Sequence, residues 1–104
     1  MIFRLVVPGP IEDVREIRVL EWHRGPDEPF TAGELIVELE TSKAVVEVRA
    51  GQAGIIRRIF CQDGEWQNIG GVLALVSDAA NEPLAESAEV PGGAAPMLAD
   101  FEVV

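Results

Sequence analysis

The chain has 104 residues, 48% of them apolar, and a formal charge of −10 from 18 acidic and 8 basic side chains, the basic set being seven arginines and the single lysine Lys43. That length holds one small core, and without a run of about 18 apolar residues or a basic–apolar–small leader pattern, a cytoplasmic protein with no membrane partner is expected. One cysteine (Cys61) and one histidine (His23) supply neither an internal disulfide nor a four-ligand metal site, and the scattered positive charges form no phosphate-binding patch, so neither metal nor nucleic acid is expected.

In chain order, short Val- and Ile-rich runs punctuated by Gly, Pro, Asp and Asn predict strands at Phe3–Val7, Glu16–Trp22, Leu35–Glu40, Ala44–Arg49, Gly54–Phe60 and Val72–Val76. Shorter extended pieces are expected around Phe30 and Ile69, and one helical turn within Ile11–Ile17. Pro8-Gly9-Pro10, Gly25-Pro26-Asp27, Gln62-Asp63-Gly64 and Gly70-Gly71 mark turns. Residues 1–77 therefore read as one all-β domain. Residues 78–104 read as an Ala/Pro/Glu/Gly-rich tail whose apolar end, Met97–Val104, either lies against the domain as a strand or docks a partner. Deleting residues 80–104 is expected to leave the domain folded.

A faint repeat runs through the domain. An offset of 37 positions lays Val19 on Ile56, Gly33 on Gly70, Leu35 on Val72, Ile36 on Leu73 and Leu39 on Val76. Two similar half-motifs building two similar sheets account for this. Lys43 then corresponds to Ala80, which puts the lysine at one end of the molecule and the chain's exit at the other.

Around the lysine, Leu35, Val37 and Leu39 alternate with Glu38 and Glu40, while Ala44, Val46 and Val48 alternate with Val45 and Glu47. Period-two alternation on both sides of Thr41-Ser42-Lys43 predicts a β-hairpin with one buried face. The turn centre falls on Thr41-Ser42 or Ser42-Lys43, and either leaves the ε-amine in solvent. Glu38, Glu40 and Glu47 are expected on the solvated outer face. His23 and Cys61 are expected in ordinary packing or surface roles, Trp22 as a core or loop anchor, and Trp66 either in packing or exposed for partner contact.

The run Glu40-Thr41-Ser42-Lys43-Ala44-Val45-Val46-Glu47-Val48, with Ala53-Gly54, Asp63-Gly64-Glu65 and Gly70-Gly71-Val72-Leu73-Ala74 following it, resembles the lipoyl domain of 2-oxo acid dehydrogenase complexes. Val7-Pro8 and Glu21-Trp22 fall where that family has Met-Pro and Glu-Trp, and the likeness spans about residues 4–77. It implies a flattened β-barrel or sandwich of two similar sheets with quasi-twofold symmetry, the lysine at a hairpin tip. It also implies lipoic acid in amide linkage on Lys43, with Glu40, Thr41, Ser42 and Ala44 forming the attachment turn. By the same resemblance the chain is a non-catalytic, monomeric carrier of acyl groups and electrons. Its implied partners are a lipoate-protein ligase or lipoyl transferase and the dehydrogenase, acyltransferase and dihydrolipoamide dehydrogenase components of such a complex, and Glu38, Glu40 and Glu47 would offer them charge complementarity.

Ser42 departs from the family's Asp, and is expected to keep the turn hydrogen bond. Ile17 and Asp27 stand where glycine is usual, and Gln67 at a usually apolar position, with Trp66 expected to take over its packing. The related biotin carriers flank their lysine with Met on both sides, which Ser42 and Ala44 do not match. A biotin carrier and an unmodified β interaction module are the alternatives.

Overall fold

The computed structural model describes residues 1–11, 13–79, 95–97 and 99–104. Ten strands run β1 (Ile2–Val6), β2 (Glu16–Trp22), β3 (Pro29–Phe30), β4 (Leu35–Glu40), β5 (Val45–Ala50), β6 (Gly54–Ile59), β7 (Trp66–Asn68), β8 (Val72–Ser77), β9 (Ala95–Pro96) and β10 (Ala99–Val103). They form two five-stranded sheets, ordered β3-β6-β8-β1-β9 and β10-β5-β4-β2-β7. The inner faces meet as a flattened sandwich around Leu5, Ile17, Val19, Ile36, Leu39 and Ile56, all at most 1% exposed. Alternate residues of each strand reach this core because successive side chains point to opposite faces.

The offset of 37 maps one half's backbone onto the other. His23 N–H donates to the Ile36 carbonyl at 2.8 Å, and Phe60 N–H to that of Leu73 at 2.8 Å. Asp27 N–H donates to Ile56 and Gly64 N–H to Val19, each at 2.7 Å. Bulges recur as well, between Val19 and Glu21 on β2 and between Ile56 and Arg58 on β6. Left-handed backbone falls at Gly33 (φ 90°) and Gly70 (φ 82°), and at Asp27 (φ 67°) and Gly64 (φ 86°). Asp27 thus holds a conformation that its counterpart meets with glycine, and an acidic residue is among the few with a side chain that tolerates it.

Several local expectations change. In place of the expected helical turn, Ile11 and Val14 pair in an isolated antiparallel β-bridge, with Val14 N–H donating to the Ile11 carbonyl at 3.1 Å, and β2 begins at Glu16. A bulge between Leu35 and Val37 lets two residues oppose one. Ile36 and Val37 are consequently both fully buried and Leu35 only half so, where strict alternation put Leu35 inside. Trp66 does not replace Gln67 in packing. Gln67 shares the inner side with its partner Ile17 and donates Nε2–H to the Val72 carbonyl at 3.1 Å, while Trp66 is 57% exposed. Gly71 makes room for this amide, since a Cβ there would lie 2.3 Å from the Gln67 Cδ.

The tail adds the fifth strand to each sheet. β9 runs parallel to β1, Met97 N–H donates to the Arg4 carbonyl at 2.8 Å, and the Met97 side chain enters the core at 7% exposure. β10 then runs antiparallel along the whole of β5, from Ala99 opposite Ala50 to Val103 opposite Val46. The chain leaves β8 at the end remote from Lys43, yet its last residues return to the lysine end. The expected linker falls mainly on residues 80–94, outside the described residues, as does Ala80, the counterpart of Lys43 under the repeat.

Candidate functional site

β4 and β5 pair from Leu35–Arg49 to Glu40–Val45, leaving Thr41 to Ala44 as the connection with Ser42-Lys43 at its centre. Of the two registers compatible with the sequence, the structure selects this one. Thr41 N–H donates to the Ala44 carbonyl at 2.8 Å, and the Thr41 Oγ1 accepts from Lys43 N–H at 3.2 Å and Ala44 N–H at 3.0 Å. Thr41 therefore satisfies the Lys43 and Ala44 amides of the turn, a side-chain substitute for backbone pairing. The hydrogen bond that the sequence assigns to Ser42 is made by Thr41. The Ser42 side chain is exposed and makes no hydrogen bond among the described residues.

The Lys43 side chain is exposed and forms no ion pair or hydrogen bond among the described residues, its backbone N–H alone being engaged. The turn holds its shape without that side chain, which leaves the amine free to present to an external reagent. Glu40, last residue of β4, receives Arg18 Nη2–H at 2.8 Å from the neighbouring strand. Glu38 lies 2.6 Å from His23 Nε2, and Glu47 3.6 Å from Arg49. The three carboxylates expected as a free acidic face are thus each engaged by a basic neighbour.

Two hollows flank the turn. One, of about 560 Å³, is bounded by Glu40, Lys43, Ala44, Val45 and Val104, the last supplied by the returning tail, whose amide donates to the Val45 carbonyl at 2.8 Å. The other, of about 340 Å³, lies between Thr41 and Ser42 on one wall and Val14, Arg15 and Trp66 on the other. Sequence reasoning left Val104, Val14 and Arg15 out of the site, because Val104 arrives only through the β10–β5 pairing and Val14 and Arg15, just before β2, only through the β2–β4 pairing that sets Arg18 opposite Glu40. The exposed-aromatic alternative for Trp66 was the one usable signal.

Elsewhere, Trp22 donates its indole N–H to the Cys61 carbonyl at 2.8 Å, anchoring the loop. The Cys61 thiol is buried, and burial, helped by the Glu65 carboxylate, pushes its pKa up, away from nucleophile or ligand chemistry. Donor atoms of Glu21, His23 and Glu38 lie within 4.8 Å of one another, but His23 Nε2 already faces Glu38 as a hydrogen-bond partner.

This fold and exposed turn lysine accord with the sequence profile described as "Biotin-requiring enzyme", which matches residues 4–76. The chain belongs to the biotin/lipoyl attachment family. Within it, the chain resembles the lipoyl domains of 2-oxo acid dehydrogenase complexes. The solved lipoyl domain of the 2-oxoglutarate dehydrogenase complex from Azotobacter vinelandii superposes with a TM-score of 0.63 at 32% identity, covering 72% of this chain and 95% of that one. Among curated proteins, the dihydrolipoyllysine-residue succinyltransferase component of the 2-oxoglutarate dehydrogenase complex of Staphylococcus saprophyticus is 31% identical over 81 residues, 78% of this chain and 19% of its own length. The corresponding component of Cupriavidus necator is 39% identical over 59 residues, 57% of this chain and 14% of its own length. The chain thus spans about a fifth or less of the curated relatives it matches.

Proposed function

We propose that this chain is a lipoyl carrier domain, with lipoic acid held in amide linkage on Lys43, serving a 2-oxo acid dehydrogenase type system. The observation that carries this reading is the Lys43 amine at the tip of a turn fixed by Thr41, unpaired among the described residues. A modifying ligase needs a defined backbone on which one amine protrudes, and an amine already held in a salt bridge would have to be released first. The residues fit the group: Ser42 is exposed and Ala44 small, so neither obstructs an acyl chain leaving Nζ. Once bound, the group supplies a dithiolane able to take up and release acyl groups and electrons.

The chain's own residues position that group and present a surface. Thr41 sets the direction in which Lys43 departs. Glu40, paired with Arg18 on the neighbouring strand, ties the foot of the turn to the sheet. Acylation of Nζ removes the one lysine charge, so the formal charge passes from −10 to −11 (one positive charge lost). Partners with positive faces, the dehydrogenase, acyltransferase and dihydrolipoamide dehydrogenase components among them, meet an acidic carrier.

Intact mass after co-expression with a lipoate-protein ligase tests the reading. One lipoyl adduct is expected, lost in Lys43→Arg. No adduct, or one that survives the substitution, overturns it; a biotin adduct from a biotin ligase in its place would make the chain a carboxyl carrier.

A further inference from the structure

Trp66 is a large aromatic that the core does not use. It sits on β7, at the edge of its sheet, 57% exposed, and its indole N–H has no partner among the described residues. Its place relative to the lysine turn follows from the register. Trp66 is opposite Arg18, and Arg18 is opposite Glu40, so the three form a row across the sheet on its outer face. Two strand spacings, about 10 Å, separate Trp66 from the residue that precedes the turn. Between them lies the hollow of about 340 Å³, walled by Thr41 and Ser42 on the turn side and by Asp13, Val14, Arg15, Glu16 and Trp66 opposite, so that Val14 and Trp66 are its apolar part within a charged rim.

We propose that this hollow is the resting dock of the group carried on Lys43, with the dithiolane ring lying against the Trp66 indole and Val14. The proposal rests on the lipoyl reading above and goes beyond it by assigning a place to the arm. Three observations favour this occupant. The hollow opens beside the attachment turn, and the lysine side chain with its acyl extension is longer than the row it must cross. A tethered occupant is present at an effective concentration of millimolar order, so a weak contact suffices to populate the dock. Sulfur against an aromatic ring is a favourable contact, and a disulfide ring finds no aromatic in the hollow on the other side of the turn, where Ala44, Val45 and Val104 are aliphatic. Loss of the Nζ charge on acylation also removes the reason for the side chain to stay in water.

The test uses the full chain, apo and lipoylated, with lipoylation established by intact mass. Trp66 emission, obtained by subtracting the signal of Trp66→Phe, is expected to fall and shift to shorter wavelength on lipoylation, since a disulfide quenches indole and the ring loses water. Trp66→Phe itself, which leaves only the anchored Trp22, is expected to show no change. Nuclear Overhauser contacts from the dithiolane protons are expected to Trp66 and Val14. A lipoylated chain with unaltered Trp66 emission and no such contacts overturns the dock while leaving the carrier reading intact. Contacts to Val104 instead place the ring in the other hollow and equally overturn it. Absence of any lipoyl adduct is a different result, which removes the carrier reading and the dock together. Trp66 and its edge strand are on the surface, so Trp66→Ala is expected to fold, and its loss of the contacts to Val14 distinguishes a dock from mere proximity.

Discussion

The two turns that bracket β4 both begin on threonine and both must satisfy backbone amides at a sheet end, yet they do so with different chemistry. At Thr31–Glu34 a carboxylate closes the turn. Glu34 Oε1 accepts from Thr31 N–H at 2.9 Å and from Thr31 Oγ1 at 2.7 Å, and the other oxygen takes the guanidinium of Arg24. These hydrogen bonds from Thr31, with Arg24 adding to them, hold the Glu34 carboxyl below its ordinary value. At Thr41–Ala44 the acceptor is a neutral hydroxyl, and the cation of the turn has no partner among the described residues. A carboxylate staple there would strengthen the turn and capture the lysine. The difference teaches that the lysine turn gives up an available ion pair in exchange for an accessible amine.

The largest effect that sharpens this contrast is removal of residues 95–104. Met97 leaves the core and Val45 loses its partner from Val104, so a loss of about 2–4 kcal/mol is expected, on the scale of a large-to-small core change. Thermal unfolding should stay cooperative at a lower midpoint. Hydrogen exchange should quicken at Glu47 and Arg49, whose amides face β10, more than at Thr31, which lies outside the β10–β5 pairing. Next, Thr41→Val withdraws the acceptor of two turn amides and should cost about 1–2 kcal/mol by chemical denaturation. It should also slow lipoylation, and unchanged kinetics would show that the turn's shape is not read.

Glu34→Gln acts on the other turn. A carboxyl whose folded pKa is depressed contributes stability above its unfolded value, and that contribution is lost as the pH falls through the folded one. Stability of the native chain should therefore drop as the pH falls from 4.5 through the lowered Glu34 value, and this part of the acid limb should flatten in the variant. The smallest effect on stability, about 0.5 kcal/mol in favour of folding, is expected from Ala44→Glu, which rebuilds the Thr-x-x-Glu pattern beside Lys43. The same change should retard lipoylation measured by mass, and a rate equal to the native one would break the comparison.

Much of this was legible in residues alone because strand patterning is local. The alternation in 35–40 and 44–48 located the hairpin to within one residue, β5 beginning at Val45 in place of Ala44. The offset of 37 located the two halves, and the structure returns it as matching hydrogen bonds and bulges. Alternation failed at Ile36, since a bulge adds a residue that no periodic rule anticipates. It failed again over Ile11–Ile17, where short apolar spacing fits a helical turn and an isolated β-bridge equally well.

By itself the sequence determined the all-β class, the paired half-motifs and the lysine at a hairpin tip, because each depends on neighbours a few positions apart and on side-chain period. The tertiary structure alone decided what surrounds that lysine. Trp66 reaches the turn across two strands, and Val104 arrives by pairing with a strand more than fifty residues earlier in the chain. Such placements arise from sheet register and from the demand that the edge of β5 find a partner, and neither is written in the local pattern of residues.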